Sequence, residues 1–564
     1  MARVYRNPVI PSANIPQVDL LTLLFDSEHT ACKDENKVLH VDTANPSNQI
    51  TKSDLRNLTK RIAHGLRSFY EIGANGRNRD VVTTISYGQL LSPAVYFGIV
   101  AAGGISAAAS PSSTAVELIR QLKETQSKLI VCGKEHELVA CKAAKECGIA
   151  MERVLVAEST PILSLKSVKG KREAISSQCL EWHRITDLRE LKESLITILW
   201  SSGTTGLPKG VMLSHHNLVA ETYITVLSAR DWAIKAIAED AFKAVEYRAL
   251  AHLPLSHIAG LFGCMITPFY NNGTVFWMPQ YNWKHFIQNM KRFKITMLFT
   301  MPTVYLRISK SPEATGIFQS LVSAAAGGSP MDGMLQAATN PKLGNGRDVF
   351  VGQTWGLSES TGGCTGPLIG IPDVTGCIGS PLPSVEIRIV DDDFKDVEPG
   401  QHGELLIRSP TVMRGYLNDI ESTERTMHDD WLCTGDIGVF KDEKMYIVDR
   451  KKELLKFKGL QIAPAELENL LVSHPRVEEA AVIGVPSPDD PSSDLPRAYV
   501  VANTAEVSEQ ELMEFVKQKA ASYKQLRGGL VFTTAIPKNG MGKYLRKDLR
   551  ERAMKEMRAT RERL

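Results

Sequence analysis

The apolar run Leu195-Ile-Thr-Ile-Leu-Trp200 leads directly into the loop Ser201-Ser-Gly-Thr-Thr-Gly-Leu-Pro-Lys209-Gly210. An apolar run of this length with β-branched residues is typical of a buried strand. In the loop, small residues let backbone N–H groups turn inward around a polyphosphate, while hydroxyls add donors and Lys209 adds positive charge. A Walker A loop is excluded, because Pro208 stands where its second glycine is required and Gly210 where Ser or Thr should bind magnesium. The stretch therefore predicts a different kind of phosphate-binding loop at the end of a strand.

Around this loop, short β-branched runs alternate with helical segments, which predicts an α/β architecture with parallel strands. One such unit has a turn at Gly103-Gly104, a strand over residues 105–109 and a helix that starts near Pro111. Beyond residue 375 the pattern changes to alternating strands joined by polar turns such as Glu398-Pro399-Gly400. This second pattern predicts a β-barrel-like subdomain.

A charged junction at Asp449-Arg-Lys-Lys452 precedes a final part with its own strands and helices, including a helix expected over residues 541–557. That part is long enough to fold separately. We therefore expect a large N-terminal domain over residues 1–448, made of mixed and parallel sheets flanked by helices plus the β-barrel-like subdomain. A hinge at 449–452 and a small mobile α+β C-terminal domain over residues 453–564 complete the prediction.

The composition is that of a soluble globular protein, with 43% hydrophobic and 23% charged residues among 564. The 66 basic and 63 acidic residues give a net charge of +3, which argues against a nucleic-acid-binding surface. From Pro537 onward, ten basic and four acidic residues indicate a solvated amphipathic helix. Nine scattered cysteines without a CxxC pair indicate neither a disulfide framework nor a zinc site, so a reducing compartment is expected.

No secretory signal is expected, because residues 1–10 carry charges and lack an apolar segment of the needed length. The most apolar stretch, residues 93–109, is interrupted by glycines and is interpreted as buried core rather than a membrane span. These features predict a cytoplasmic protein without an integral membrane segment. The C-terminal Glu562-Arg563-Leu564 shares its last two residues with a peroxisomal address, so the peroxisome is kept as an alternative.

In addition to the phosphate-binding loop, five blocks in order resemble those of the acyl-adenylate-forming (AMP-binding) superfamily. The resemblance is to acyl-CoA synthetases of the 4-coumarate–CoA ligase and luciferase-like branch. The blocks are Gly103-Gly-Ile-Ser-Ala-Ala-Ala-Ser-Pro111, Gln353-Thr-Trp-Gly-Leu-Ser-Glu359, Trp431-Leu-Cys-Thr-Gly-Asp436, Asp449-Arg-Lys-Lys452 with Lys458-Gly459, and Pro537-Lys-Asn-Gly-Met-Gly-Lys543.

The resemblance implies a ligase that uses ATP, Mg²⁺ and coenzyme A. A carboxylate is a poor electrophile, so such an enzyme first converts it to acyl-AMP with release of pyrophosphate and then transfers the acyl group to coenzyme A. The first step brings two anions together, so the site must neutralise charge on the α-phosphate. Two alternatives remain: an adenylating enzyme that loads the phosphopantetheine of a partner carrier protein, and a catalytically silent nucleotide-binding scaffold.

The resemblance also implies roles for particular residues. Lys543 is expected to reach the substrate carboxylate and the α-phosphate, and Trp355 to offer an aromatic face to adenine. Asp436, with Arg450 as its companion, is expected to accept bonds from the ribose hydroxyls. Glu359 is the expected magnesium ligand, because a hard cation prefers oxygen. The predicted nucleotide-binding set is Ser201, Ser202, Gly203, Thr204, Thr205, Gly206, Lys209, Gly327, Gly328, Ser329, Gln353, Thr354, Trp355, Ser358, Asp436, Arg450 and Lys452.

By the same resemblance, His257 is the gate between the acyl and thiol entrances and not a general base. The predicted acyl pocket consists of His257, Ala259, Gly263, Gly328 and Thr354. For the second step, Lys456 and Gln461 are expected to face the site after the small domain rotates about the hinge. The residues assigned to coenzyme A are Lys458, Gly459 and Gln280.

Several of these positions differ from the coumarate ligases. Thr354 stands where they have Gly, Ala259 and Gly263 are smaller than their counterparts, and Gln280 replaces a basic residue that often contacts coenzyme A phosphates. The acyl pocket is therefore reshaped, and an aryl or arylalkyl acid and a medium-chain fatty acid are comparable expectations.

Overall fold

The computed structural model describes residues 3–201, 208–238, 245–278, 280–344, 349–367, 370–457, 460–487, 490, 493–540 and 542–561. Its first sheet contains the strand that leads into the phosphate-binding loop. Most neighbours in this sheet are parallel, and antiparallel pairs close both of its ends. The strand order is Gly415–Tyr416, Lys209–Ser214, Leu195–Ser201, Ile105–Ala109, Val81–Ile85, Leu129–Gly133, Val154–Glu158 and Ser164–Ser167.

A second sheet is parallel except for the antiparallel strand at one edge. Its order is Val351–Gln353, Ser323–Ala326, Met297–Thr300, Arg248–Ala251, Thr274–Trp277, Val38–Asp42 and Gln49–Thr51. In parallel sheets the carboxyl ends of the strands lie along one edge, where ligands bind. A ligand site is therefore expected at the segments that follow these strands.

The strand-rich region predicted beyond residue 375 is an antiparallel sheet. It consists of Glu386–Val390, His402–Arg408, Met427–His428, Trp431–Lys441 and Lys444–Arg450. Two short antiparallel pairs precede it, Gly356–Leu357 with Gly362–Gly363 and Thr365–Gly366 with Ser380–Pro381. The C-terminal part has the strands Val477–Pro486, Asp494–Ala502 and Leu530–Phe532, with a hairpin of Leu455–Phe457 and Leu460–Ile462 before them.

Helices cover the sheets, and several begin with side-chain caps. Thr51 and Thr114 each form a capping box with the acidic residue three positions later, which satisfies N–H groups that the first turn leaves unpaired. The helices are Leu20–Phe25, Lys52–Tyr70, Ser92–Ala101, Ala115–Thr125, Glu137–Glu146, Leu188–Glu193, His215–Ala238, Ile258–Leu261, Thr267–Tyr270, Trp283–Arg292, Pro302–Lys310, Gly333–Thr339, Ile420–Arg425, Pro464–Val472, Glu509–Lys519 and Arg546–Arg561.

These elements confirm the predicted α/β class, with a large sheet-and-helix part and a smaller C-terminal part. The helix Ser92–Ala101 is buried along its length, as the interpretation of residues 93–109 as core requires. In the part of the chain that the structure describes, no helix combines the length and the apolar character needed to cross a membrane. Residues 562–564, on which the peroxisomal alternative depends, lie outside the described residues.

The helix expected over residues 541–557 is wrong at its start, because it begins at Arg546. Lys543 instead lies in a turn in which the Asn539 N–H donates to the Lys543 carbonyl and the Gly542 N–H donates to the Asn539 carbonyl. The Asn539 side-chain oxygen accepts the Lys543 N–H. Gly542 has a φ of 80°, in the left-handed region that glycine adopts readily. This turn holds Lys543 away from the helix, in a short projecting segment.

Candidate active site

One large cavity, of about 2090 Å³, lies where four parallel strands of the second sheet end. The residues that follow these strands line it: His252 and Leu253, Met301, Gly327 and Gly328, and Thr354. Lys543 and Asn539 of the C-terminal part line the same cavity. The predicted acyl-pocket residues His257, Ala259, Gly263, Gly328 and Thr354 are all among its lining residues.

Gly327 and Gly328 expose backbone to the cavity where a side chain would collide with its neighbours. A Cβ on Gly327 would lie 2.9 Å from Cζ of Phe299, and one on Gly328 would lie 2.9 Å from Sδ of Met301. Gly328 also has a φ of +83°. Close approach of a ligand to backbone at this point therefore requires glycine.

Asp436 is held on both carboxylate oxygens by residues distant in sequence. The Trp355 Nε1–H donates to Oδ2 at 2.8 Å, and the Arg450 Nε pairs with Oδ1 at 2.6 Å. Arg450 reaches it because the two residues face each other across the antiparallel pair of strands. Each carboxylate oxygen has a second lone pair. The carboxylate is therefore fixed in place and can still accept one hydrogen bond from each of two hydroxyl groups.

Trp355 has a different setting from a simple aromatic platform. Its side chain is 7% exposed and packs with Ile224, Ile378 and Leu432 in an apolar cluster beneath the antiparallel sheet. The expectation that its face contacts adenine stays a prediction. Its hydrogen bond to Asp436 was not predicted, because nothing in the local sequence links positions 81 residues apart.

Lys543 enters the cavity from the C-terminal part of the chain. Its Cε lies 3.7 Å from where a Cβ of Gly328 would stand. Burial and then the charge of Arg450 lower the pKa of Lys543 to about 8, while Asp436 and Glu359 act in the opposite direction. The ammonium group therefore lies among both positively and negatively charged side chains and is shielded from water. In such a place its charge acts strongly on a nearby anion.

His257 caps the short helix Ile258–Leu261, and its Nδ1 accepts the Ala259 N–H at 3.2 Å. In the neutral imidazole the proton is then on Nε2. Burial, followed by the charge of Lys543, lowers the pKa of His257 to about 3. A neutral histidine whose Nδ1 already accepts a hydrogen bond is suited to shaping the wall of the cavity.

Glu359 and Lys209 are connected through Tyr416, which the sequence analysis missed. The Tyr416 hydroxyl donates to Oε1 of Glu359 at 2.9 Å, and the Lys209 Nζ lies 4.9 Å from the centre of the Tyr416 ring. Lys209 also donates to Ser422 Oγ at 2.6 Å. No pattern around Tyr416 indicated this contact, since it depends on the edge strand Gly415–Tyr416 pairing with Lys209–Ser214.

Further residues of the predicted nucleotide-binding set line the cavity. Gln353 is 4% exposed and uses its amide to pair with both backbone groups of Met331, at 2.8 and 2.7 Å. Thr354 donates its hydroxyl to the Thr365 carbonyl at 2.6 Å. The cavity-lining residues among the predicted nucleotide set also include Ser201 and Ser358.

Some predicted residues are not brought to the cavity. Lys456 and Gln461 are exposed and face each other across the hairpin after the hinge. Gln280 and Lys452 are also exposed, Ser329 is half-buried, and none of these three residues lines the cavity. Ser202, Gly203, Thr204, Thr205 and Gly206 of the phosphate-binding loop, and Lys458 and Gly459, lie outside the described residues.

Glu221, another residue that the sequence analysis missed, lines the cavity from the helix His215–Ala238 and is 2% exposed. The signal was a single acidic residue within the apolar segment Leu218-Val-Ala-Glu-Thr222. Among the described residues, no three His, Cys, Asp or Glu side chains form a cluster able to hold a metal ion. A hard cation here would depend on Glu359 together with oxygens of the bound phosphates and water.

Comparisons with known proteins identify the family. The family model described as AMP-binding enzyme matches residues 27–417, and that of the AMP-binding enzyme C-terminal domain matches residues 466–543. The chain is 45% identical over 543 residues to a putative acyl-coenzyme A synthetase of Emericella nidulans, covering 96% of both proteins. It is 33% identical over 467 residues to 4-coumarate–CoA ligase 1 of Solanum tuberosum, covering 80% of both.

Among solved structures, ATP-bound MatB from Rhodopseudomonas palustris has the same fold, with a TM-score of 0.79 and 25% identity. The match covers 94% of this chain and 98% of that one. The predicted resemblance and the predicted class of AMP-forming acid–thiol ligase are thus confirmed at the level of the family. The chain belongs to the AMP-binding enzyme family, in its acyl-CoA synthetase branch.

Proposed function

We propose that this protein converts a carboxylic acid and ATP to acyl-AMP and pyrophosphate, and then transfers the acyl group to coenzyme A with release of AMP. The observation that carries the proposal is the convergence of Lys543 and Arg450 at one cavity beside Gly328, with Asp436 paired to Arg450 behind them. A cation from the C-terminal part, a fixed carboxylate and exposed backbone are what positioning of an adenylate requires.

In the first step, Asp436 holds the ribose, because Trp355 and Arg450 fix its carboxylate and leave acceptor directions for two hydroxyls. Lys543 brings its ammonium group to the acid and the α-phosphate. Its positive charge offsets the negative charge that accumulates as the carboxylate attacks phosphorus and pyrophosphate leaves. A bound magnesium ion, held by Glu359, would supply further charge on the phosphate oxygens.

In the second step, the thiol of coenzyme A attacks the acyl carbonyl and AMP leaves. We propose that the C-terminal part rotates about residues 449–452, so that Lys456 and Gln461 replace Lys543 at the site. Their exposure in the present arrangement supports this, since residues that serve the other state should be free of the cavity in this one.

The acid is proposed to be an aryl, arylalkyl or medium-chain carboxylic acid. Apolar side chains line part of the cavity, among them Ile258, Phe262 and Phe299. The small residue at Gly263 enlarges this part, because a Cβ there would meet nothing within 4 Å. The relative from Solanum tuberosum, named for 4-coumarate, supports the aryl class.

The test incubates purified protein with ATP, magnesium, coenzyme A and pooled aromatic and aliphatic acids, and detects products by mass spectrometry. We expect acyl-CoA that disappears when coenzyme A is omitted and in the Lys543→Ala variant. Acyl-AMP without acyl-CoA would contradict the proposed acceptor and favour a carrier protein. Absence of both products across the pool would contradict the proposed function.

A further inference from the structure

Glu221 places a carboxyl group against the wall of the cavity with only one of its two oxygens engaged. Oε1 accepts the Gly363 N–H at 2.7 Å. Oε2 is buried and has no hydrogen-bond partner among the described residues. A buried carboxyl oxygen without a hydrogen-bond partner is unfavourable, and a ligand that pairs with it would remove that cost.

The position of this carboxyl group is fixed by backbone. Oε1 lies 2.5 Å from where a Cβ of Gly362 would stand, so only glycine at 362 leaves room for it. Gly362 also has a φ of +142°. The group is therefore packed against the short pair of strands Gly356–Leu357 and Gly362–Gly363 before any ligand binds.

Glu221 lies near the predicted acyl pocket. Oε1 is 3.6 Å from where a Cβ of Gly363 would stand, and the hydroxyl of Thr354 is 3.1 Å from that same point. Thr354 in turn has its methyl group 3.1 Å from where a Cβ of Gly327 would stand. Thr354 thus lies between the Gly327 backbone and the Glu221 carboxyl group.

The surroundings of this carboxyl group favour its neutral form. Burial raises the pKa of Glu221 well above its ordinary value, and only the Gly363 N–H opposes that shift. In the described part of the chain, no lysine, arginine or histidine forms an ion pair with it. Because Oε1 accepts the Gly363 N–H, the acidic proton belongs on Oε2, which makes Oε2 a hydrogen-bond donor.

We propose that Glu221 is a specificity-determining residue that donates a hydrogen bond from Oε2 to a neutral oxygen function, a hydroxyl or carbonyl, on the acyl part of the substrate. The inference rests on the proposed function, since it concerns the acid that this site activates. A plain hydrocarbon acid leaves the donor unpaired in the complex, whereas an acid with a suitably placed oxygen pairs it. Sites built in this way discriminate strongly against analogues that lack the polar group.

The test measures kcat/KM for pyrophosphate release with matched acids: cinnamate with 4-coumarate, phenylacetate with 4-hydroxyphenylacetate, and octanoate with 8-hydroxyoctanoate. For at least one pair, the wild type should prefer the oxygenated acid by about tenfold or more. Glu221→Leu should lose this preference and gain activity with the plain acid. Glu221→Gln should keep it, because the amide oxygen still accepts the Gly363 N–H and the amide nitrogen still donates.

Thr222→Val serves as the matched control. Thr222 is the next residue on the same helix, is buried and donates its hydroxyl to the Leu218 carbonyl, outside the cavity lining. Its substitution tests the packing of the helix and should leave the ratio of the two kcat/KM values as in the wild type. Thermal melting of each variant separates loss of fold from change of selectivity.

Two results would overturn the inference. One is the same ratio in wild type and Glu221→Leu for every pair. The other is a preference for amino-substituted acids that disappears in Glu221→Gln. That result would mean that Glu221 is an ionised carboxylate that pairs with a positively charged substrate group.

If the wild type releases pyrophosphate with none of the acids, the proposed function fails separately. Calorimetric titration of the same pairs then decides the inference. Tighter binding of the oxygenated acid to wild type, absent in Glu221→Leu, would support it, and equal binding would overturn it.

Discussion

Lys543 carries its charge in a place where water is scarce, and its protonation state should therefore control the first step. Burial and the charge of Arg450 lower its pKa to about 8 in the free protein. Below that pH the side chain is an ammonium group that can neutralise phosphate. Above it, the group loses the charge on which the proposed role depends.

We accordingly expect kcat/KM for acyl-AMP formation to fall as pH rises through about 8, with a limiting slope of about tenfold per pH unit. The rate with saturating ATP should fall only at higher pH, because bound phosphate favours the charged amine. Lys543→Arg should be slower but free of this decline, since guanidinium stays protonated. A wild-type profile that stays level to pH 9.5 would contradict the assignment.

A second residue-scale feature is the indole N–H of Trp355 on Asp436. Trp355→Phe keeps an aromatic ring in the apolar cluster but removes the donor at 2.8 Å. A hydrogen bond to a charged group contributes about 1.5–3 kcal/mol, so KM for ATP should rise by roughly ten- to a hundredfold. Steady-state kinetics with varied ATP provide the measurement. An unchanged KM for ATP, with the protein folded, would show that Arg450 alone positions Asp436.

At the scale of elements, the helix Pro302–Lys310 connects the large part of the molecule to the C-terminal part. The Lys310 Nζ donates to the carbonyl of Val472, at 3.2 Å, and to that of Val477. Asp449 contributes from the hinge, where its carboxylate accepts the backbone N–H groups of Arg450 and Ala465. These contacts hold the C-terminal part so that Lys543 reaches the cavity.

Lys310→Met should therefore slow acyl-AMP formation by several-fold, because it removes a docking contact present in this arrangement. Thioester formation from supplied acyl-AMP should be unchanged or faster, since that step needs the contact broken. Single-turnover measurements of both half-reactions distinguish the two effects. Lys291→Met, an exposed lysine on the helix Trp283–Arg292, provides a matched control and should affect neither step.

At the scale of the whole molecule, a single chain is proposed to provide two arrangements for two reactions. In the present arrangement Lys543 lines the cavity while Lys456 and Gln461 are exposed on the hairpin. The predicted domain boundaries at 448 and 453 stay a prediction. In this arrangement Asp449 and Arg450 are the last residues of a paired strand. A rotation would have to begin at the end of that strand.

Two substitutions should thus have opposite effects. Lys543→Ala should lower acyl-AMP formation by about 10² or more, the scale of removing one preorganised donor, and largely spare thioester formation from supplied acyl-AMP. Gln461→Ala should spare the first step and lower the second. Radioactive pyrophosphate exchange reports the first step, and thiol consumption from synthetic acyl-AMP reports the second. Equal damage to both steps by either variant would contradict the two-arrangement mechanism.

The sequence alone is sufficient for features that depend on consecutive residues. The strand that ends in the 201–210 loop and the five ordered blocks could be found because each depends on local spacing and composition. The roles of Asp436 and Lys543 come from the resemblance of their blocks to the family and stay predictions. The class of fold followed from the alternation of strands and helices. These signals do not require knowledge of which distant segments meet.

The contacts between distant segments, in contrast, depend on the folded chain. Trp355 reaches Asp436, Tyr416 joins Glu359 to Lys209, and Glu221 faces the cavity, because strand pairing and helix packing bring these positions together. The sequence predicts a helix from residue 541, whereas in the structure Gly542 has a left-handed φ and the helix begins at Arg546. Pairing between distant strands, and the face that a helix turns inward, are set by burial of the whole core, so no short stretch of sequence contains them.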